Sequence, residues 1–360
     1  MIRARIRRPR AVALAAAVAL VAAGCSGDDD DAAETGTTQA APDGTGTAET
    51  TEAAASYQWA LVTDTTGATG TSTAAYAGDG LQRAAEELGG TLERYEPAAE
   101  GDYAAQLTAA AQDGASLVVT VAPLADAVAE AAAANPDVPF VVLDDNGTVA
   151  DPGLANVQVV QFRLAEGAFL AGIIAGLTTA ATTVGFVALE EGPAADAYIA
   201  GLEQGIDYAN FDDPGAITVT PTYVGATADA AAAGAAATQL YADGADIVVE
   251  NVGDADTGVY DAAVQAGAGT WVVGTGQCEQ ELAPDHFLTS VTRDIASAAY
   301  YGATQVVDDV FAPGAIELGL TESAVDICQD TLSSLDELVV VDVTDARSAL
   351  ESGDLVVETP

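Results

Sequence analysis

The 360-residue chain predicts an α/β protein of two doubly wound lobes. From Tyr57 onward, short β-branched runs alternate with alanine-rich helical stretches, the pattern of a parallel sheet with crossover helices. The unit helix, glycine, small residue, acid or serine, strand occurs twice, in QDGASLVV at 112–119 and ADGADIVV at 242–249. The roughly 300 residues beyond Ser56 are also more than one hydrophobic core normally serves.

Arg3, Arg5, Arg7, Arg8 and Arg10 precede an apolar stretch from Ala11 to Ala23, which ends in small residues just before Cys25. This is the layout of a secretory signal, and the run falls short of the ~20 residues a membrane-spanning helix needs. VAAGC at 21–25 resembles the lipobox of bacterial lipoproteins, with Ala22 where Leu is commonest. Residues 1–25 are therefore expected to be a signal peptide with Cys25 as the lipidation site, a plainly cleaved signal being the alternative. Residues 26–55 hold almost only Ser, Thr, Gly, Ala, Asp and Glu, which cannot form a core. They are expected to be a disordered acidic tether, with a root-mean-square reach of about 30 Å if fully flexible.

Beyond Cys25 the basic residues are Arg83, Arg94, Arg163, Arg293 and Arg347, so 55 acids against 5 bases leave a charge of −50. Such a surface repels phosphate backbones and anionic headgroups; nucleic acid is excluded as a partner, and the membrane is expected to be met through the lipid anchor alone.

Strands are predicted at 59–63, 117–121, 140–143, 157–160, 184–187, 217–223, 247–250 and 270–273, with helices near 75–88, 103–113, 124–134, 163–178, 194–209, 228–242, 257–266 and 294–310. Gly114 and Gly244 stand where a glycine closes a helix ahead of the next strand, and Pro136 stops the helix ending near Asn135. The helix at 163–178 is apolar nearly all round, but Arg163 and Glu166 open it and it is too short to cross a bilayer. Burial against a sheet is expected, its glycines allowing close approach.

Catalytic patterns are missing. His286 is the sole histidine, no His/Cys cluster has zinc spacing, and neither a GxSxG elbow nor a GxxxxGK[ST] loop occurs. An enzyme is not expected, nor a metal or cofactor. Cys278 and Cys328 remain beyond Cys25, and in an exported chain such a pair tends to close into a disulfide; two buried free thiols are the alternative.

Six stretches in order, NPDVPFVVLDD at 135–145, NVQVVQFRLAEGAFLAGIIAGL at 156–177, VGFVALEEGPAADAYIAGLEQGI at 184–206, GADIVVENVGDADTGVYDAAVQAG at 244–267, HFLTSVTRD at 286–294 and ESGDLVV at 351–357, resemble the basic membrane protein family of ABC-transporter substrate-binding lipoproteins. Purine nucleoside receptors are among that family's members. The resemblance implies the type I periplasmic-binding-protein fold, two lobes joined by three crossovers with the ligand between facing strand ends. On this reading lobe 1 is 56–161 completed by about 287–312, and lobe 2 is 162–286 completed by about 313–360. It also implies a monomer on the outer face of the cell membrane that passes a small solute to an ABC permease and ATPase. The alternative is a two-lobed surface lipoprotein that senses a ligand or acts as a scaffold without transport.

Site residues follow from the resemblance loop by loop. In DTTGATGTSTAAYAGDGL at 64–81, Asp64, Gly67 and Ser72 keep the family pattern, while Gly70, Thr73 and Ala74 replace its second Asp, its Phe and its Asn. Thr69, Thr71, Ser72 and Thr73 still offer hydroxyls. Asp126, in VTVAPLADAV, matches a family Asp that accepts hydrogen bonds from ligand, although an acid in a helix's first turn is also favoured by the helix dipole. Thr227 stands where the family stacks a Phe on the base, and Gly276 where it grips the ribose. Arg293 stands for a Lys, and Gly253 joins the expected ligand-binding set. A nucleoside thus loses its stacking and its sugar clamp, worth about 1–3 kcal/mol per stacked base.

Overall fold

The computed structural model describes residues 57–360 apart from 66, 69–71, 144–148 and the side chain of Asp254. The leader with Cys25, the tether, Thr69 and Gly70 lie outside the described residues.

The first segment runs β1 (Gln58–Val62), α1 (Thr73–Glu87), β2 (Thr91–Tyr95), α2 (Tyr103–Gln112), β3 (Leu117–Val121), α3 (Ala125–Ala134), β4 (Phe140–Leu143) and β5 (Val157–Phe162). The second runs α4 (Leu164–Thr178), β6 (Thr183–Ala188), α5 (Pro193–Ala209), β7 (Thr218–Tyr223), α6 (Ala230–Ala242), β8 (Ile247–Asn251), α7 (Thr257–Ala266), β9 (Trp271–Gly276) and β10 (Phe287–Arg293). A third brings α8 (Ile295–Val307) and β11 (Gly314–Leu318), and a fourth β12 (Val325–Ile327), α9 (Gln329–Leu332) and α10 (Glu337–Glu351).

Two six-stranded sheets result, in the orders β11-β5-β4-β3-β1-β2 and β12-β10-β9-β8-β6-β7. All pairings are parallel except β10 with β12. Central strands such as LVVTV and FVVL bury every residue because helices cover both faces. In lobe 1, α2 and α3 press Leu107 and Val128 onto one face, and α1 and α8 press Leu81 and Ala299 onto the other. In lobe 2, α4, α5 and α10 cover one face and α6 and α7 its opposite. As expected, α4 is a buried helix: a Cβ on Gly172 would collide with the Leu202 carbonyl oxygen of α5, so backbone meets backbone there. Among the described residues no helix is long and apolar enough to cross a membrane.

The chain crosses between sheets three times, after β5, after β10 and after β11. The expected boundaries shift accordingly. Residues 287–293, given to lobe 1, form β10 of the second sheet, and 314–318, given to lobe 2, form the edge strand β11 of the first. The second crossover is marked by Asp294, whose carboxylate caps α8 by accepting from Ser297 N at 2.7 Å, so strand and helix part at that residue. β2, β10, β11 and β12 are further strands beyond the eight predicted.

Candidate functional site

The three crossovers lie side by side and are bonded to one another. Arg163, in the first, donates to the Glu317 carbonyl at 2.7 Å and to Glu322 Oε2 at 2.6 Å in the third, while Glu166 accepts from Leu320 N at 2.8 Å. The third is tied to the second by Asp294 N donating to the Ala324 carbonyl at 2.8 Å. A cavity of about 560 Å³ opens beside this junction. Tyr76 of α1 lines it from lobe 1; Gln277 and Glu279, just after β9, line it from lobe 2; and Arg293 and Asp294 line it from the second crossover.

Lobe 2 also holds a cluster of ionisable groups, Glu250, Asp256, Tyr260 and Glu279, of which Glu279 alone lines the cavity. Glu250, penultimate in β8, is wholly buried. Its Oε1 accepts from Thr275 N at 2.5 Å and its Oε2 from Val252 N at 3.2 Å, so one carboxyl fixes the chain after both β8 and β9. Thr275 Oγ1 donates to the Glu250 carbonyl at 2.6 Å, which leaves Tyr198 to donate to Thr275 Oγ1 at 3.0 Å. Burial, reinforced by the charge of Asp256, pushes the Glu250 carboxyl up to about 8 against the pull of those two N–H groups and of Arg293. Burial also raises Glu279 far above the carboxylate range, aided by its hydrogen bond to Asp256 and by the charges of Asp256, Glu250 and Glu281. The Tyr260 hydroxyl is buried and lacks a hydrogen-bond partner; its ionisation is raised by burial and then by Glu250, Glu279 and Asp256. Among the described residues no group of three or more His, Cys, Asp or Glu has the geometry to hold a metal ion.

The residues expected at the site are distributed unevenly. Gly276 and Arg293 are brought together: at φ +115° Gly276 turns the chain, and a Cβ there would stand 3.2 Å from the guanidinium. Arg293 lines the cavity and carries its charge toward Glu250 and Tyr198. Asp64, Ser72, Thr73, Asp126, Thr227 and Gly253 are not among the cavity's lining residues. Asp64 closes a turn through its carbonyl, which accepts from Gly67 N at 3.2 Å. Ser72 is the N-cap of α1, accepting from Ala75 N at 3.2 Å and donating to the Gly67 carbonyl at 3.3 Å, and Thr73 begins that helix. Asp126 is exposed in the first turn of α3, Thr227 is exposed in the turn before α6, and Gly253 opens a single helical turn after β8 at φ +54°. Cys278 and Cys328 stand with Cα atoms 5.5 Å apart, within the span a disulfide needs, at a separation of 50 residues.

Tyr76, Glu250, Asp256 and Tyr260 were not anticipated. One signal was available: in IVVE, the strand predicted at 247–250, a carboxylate follows three apolar residues.

The family model described as ABC transporter substrate-binding protein PnrA-like, named Bmp, matches residues 58–349. Basic membrane protein A of Borreliella burgdorferi is 34% identical over 202 residues, which are 56% of this chain and 58% of that protein, so the chain spans little more than half of that relative's length. Among solved structures, an ABC transporter system solute-binding protein from Aeropyrum pernix K1 superposes with a TM-score of 0.65 at 23% identity, covering 84% of this chain and 93% of that one. Another from Conexibacter woesei gives 0.64 at 20% identity, covering 84% and 99%. These likenesses carry the two-lobed type I fold, and the matched family is one of substrate-binding proteins, not enzymes.

Proposed function

The chain belongs to the Bmp family of PnrA-like ABC-transporter substrate-binding proteins, and from that premise we propose that it is a lipoprotein, anchored outside the cell membrane through Cys25, that captures a small polar solute between its lobes for an ABC permease and ATPase. The supporting observation is the cavity at the crossover junction, lined from both lobes and by the chain that links them. A body whose lobes meet at three bonded crossovers can close on a solute by bending there. It acts as a monomer, and its partners are the solute and the importer subunits.

The solute differs from a purine nucleoside. A buried base needs an aromatic face, and a buried ribose diol left without partners costs about 1–3 kcal/mol per hydroxyl; Thr73, Thr227 and Gly276 stand where the family pattern has Phe, Phe and Asp. Adenosine, guanosine and inosine are expected to bind at least about tenfold more weakly than to receptors that keep those residues. Calorimetry against nucleosides, bases, sugars and amino-acid-like solutes tests this, and submicromolar binding of any purine nucleoside would overturn it. Small-angle scattering should show contraction at saturating ligand. An unchanged profile would refute closure. The Cys278–Cys328 pair is proposed to be bridged in the exported protein, and two thiols titrating in the unfolded, unreduced chain would exclude that.

A further inference from the structure

We propose that the Cys278–Cys328 pair is a clasp on the cavity wall that low-molecular-weight thiols open by exchange at Cys278, those bearing an ammonium group most readily. This rests on the reading that the pair is bridged, and it holds whatever solute the cavity takes.

The bridge stands where the cavity is built. Fifty positions apart in sequence, its cysteines bracket β10, the second crossover, α8, β11, the third crossover and β12, so it closes a ring that passes through both lobes. The two ends of that ring meet in the cavity: Gln277 and Cys278 line it from one end, Ile327 and Gln329 from the other. They are held very differently. Cys328 is moored, its N–H donating to the Ser290 carbonyl of β10 at 2.8 Å and its carbonyl accepting from Thr331 Oγ1 at 2.7 Å. Residues 277–279 lie outside strand and helix, and Gln277 Nε2 donates to the Arg293 carbonyl at 3.4 Å, longer than an ordinary hydrogen bond. The covalent link therefore ties a lightly held stretch of wall to a fixed one.

The two sulfurs also differ in access. Cys278 is exposed, whereas Cys328 is 1% exposed and belongs to the apolar cluster under α6 and α7. A thiolate must touch the sulfur it attacks, so the bridge has one open end. A thiolate attacks Sγ of Cys278, the S–S bond breaks, and its electron pair leaves on Cys328, which takes up a proton. A second thiolate then attacks the mixed disulfide, freeing Cys278 and releasing the reagent as its own disulfide. The two electrons that reduce the bridge thus come from two thiols. A buried thiolate is a poor leaving group, which slows the first step without redirecting it.

Charge selects the thiol. Glu281 and Asp330 share the lining with Cys278, and among the described residues that line the cavity Arg293 alone is basic. An ammonium group offsets the charge of the attacking thiolate in this negative field, whereas a carboxylate adds to it. Opening frees the loop that carries Gln277 and Glu279 and so loosens the cavity wall.

The test exposes the full, folded chain to cysteamine, 2-mercaptoethanol or thioglycolate, then quenches with acid, alkylates free thiols in denaturant and maps the peptides by mass. Before any thiol is added, alkylation at 278 and 328 would overturn the bridge and with it the clasp. Afterwards the thiol adduct should sit on Cys278 and the alkyl group on Cys328, in about tenfold excess over the reverse. Relative to an uncharged model disulfide, cysteamine should react at least about threefold faster than thioglycolate at low salt, the gap narrowing at high salt. After reduction, amide hydrogen exchange in 277–282 should quicken by about tenfold or more, and by more than in β1 of lobe 1. Adducts on Cys328 or equally on both, a folded-state bridge that resists thiols, an absent or reversed charge order, or unchanged exchange in 277–282 would each overturn the proposal. None of these measurements uses a solute, so their failure is separate from a failure of solute binding.

Discussion

The strand ends of the two lobes solve the same local problem in opposite ways. In lobe 1 the polar side chain at the start of α1 is used up by the backbone: Ser72 caps the helix and ties back to Gly67. In lobe 2 the corresponding region buries an ionisable group, Glu250, whose carboxyl bridges two strand ends. A capped loop gives shape and is indifferent to pH. A buried carboxyl ties the fold's stability to its proton.

The largest effect should therefore come from Glu250. Its folded value of about 8 lies above the ordinary 4.5, so between those values the folded chain holds a proton that the unfolded chain has lost. Stability from this group is full below about 4.5, falls as pH rises through the window by up to about 1.4 kcal/mol per unit, and is flat above about 8. Melting temperatures from pH 5 to 9 should show the decline, and Glu250→Gln should flatten it. A wild-type profile as flat as the variant's would break the contrast.

Next comes the staple. The chain after β9 carries Cys278, whereas the chain after β1 has no cysteine. If bridged, the 50-residue loop is worth about 4 kcal/mol in the chain-entropy model. Denaturant unfolding of the Cys278→Ser, Cys328→Ser double variant should show most of that loss, and equal stability with and without the pair would argue against the bridge.

Smaller again, Ser72→Ala should cost about 1 kcal/mol of stability, equally at pH 5 and pH 9, because a lost helix cap involves no proton. A pH-dependent cost would mean that lobe 1 is not the neutral partner. Last is Asp126→Ala: the residue is exposed and outside the cavity's lining, so a loss of about 1 kcal/mol or more in affinity for the solute is expected through closure of the lobes onto it. Full affinity in that variant would remove Asp126 from the site.

What the sequence made legible follows burial. LVVTV and FVVL were assigned to their observed limits because strands covered on both faces read as unbroken apolar runs. β2, TLERY, escaped because it is an edge strand with three exposed residues, and in α10 the run VVVDV looks like a strand although it is helical. The meeting of Gly276 with Arg293 could be anticipated from the order of family-like motifs. Glu250 gave only its place after an apolar run and Tyr76 lay inside a helix, and only the folded neighbours give either a role.

The late return of the chain to lobe 1 bears on how the molecule is made. Ile295, Ala298, Ala299 and Ala303 of α8 cover the same cluster as Leu61, Leu117, Val119 and Val141, and Gln305 exchanges hydrogen bonds of 3.1 Å with Gln158 of β5. Those residues leave the ribosome only after all of 163–293. Throughout that interval the first five strands have one face covered by α1 alone and no β11 at their edge, and at its end the second sheet still lacks β12 and the cover of α10. Each lobe therefore waits on a late segment: the one begun first stays incomplete while most of the other is made, and its exposed apolar surface is where a nascent chain needs a chaperone.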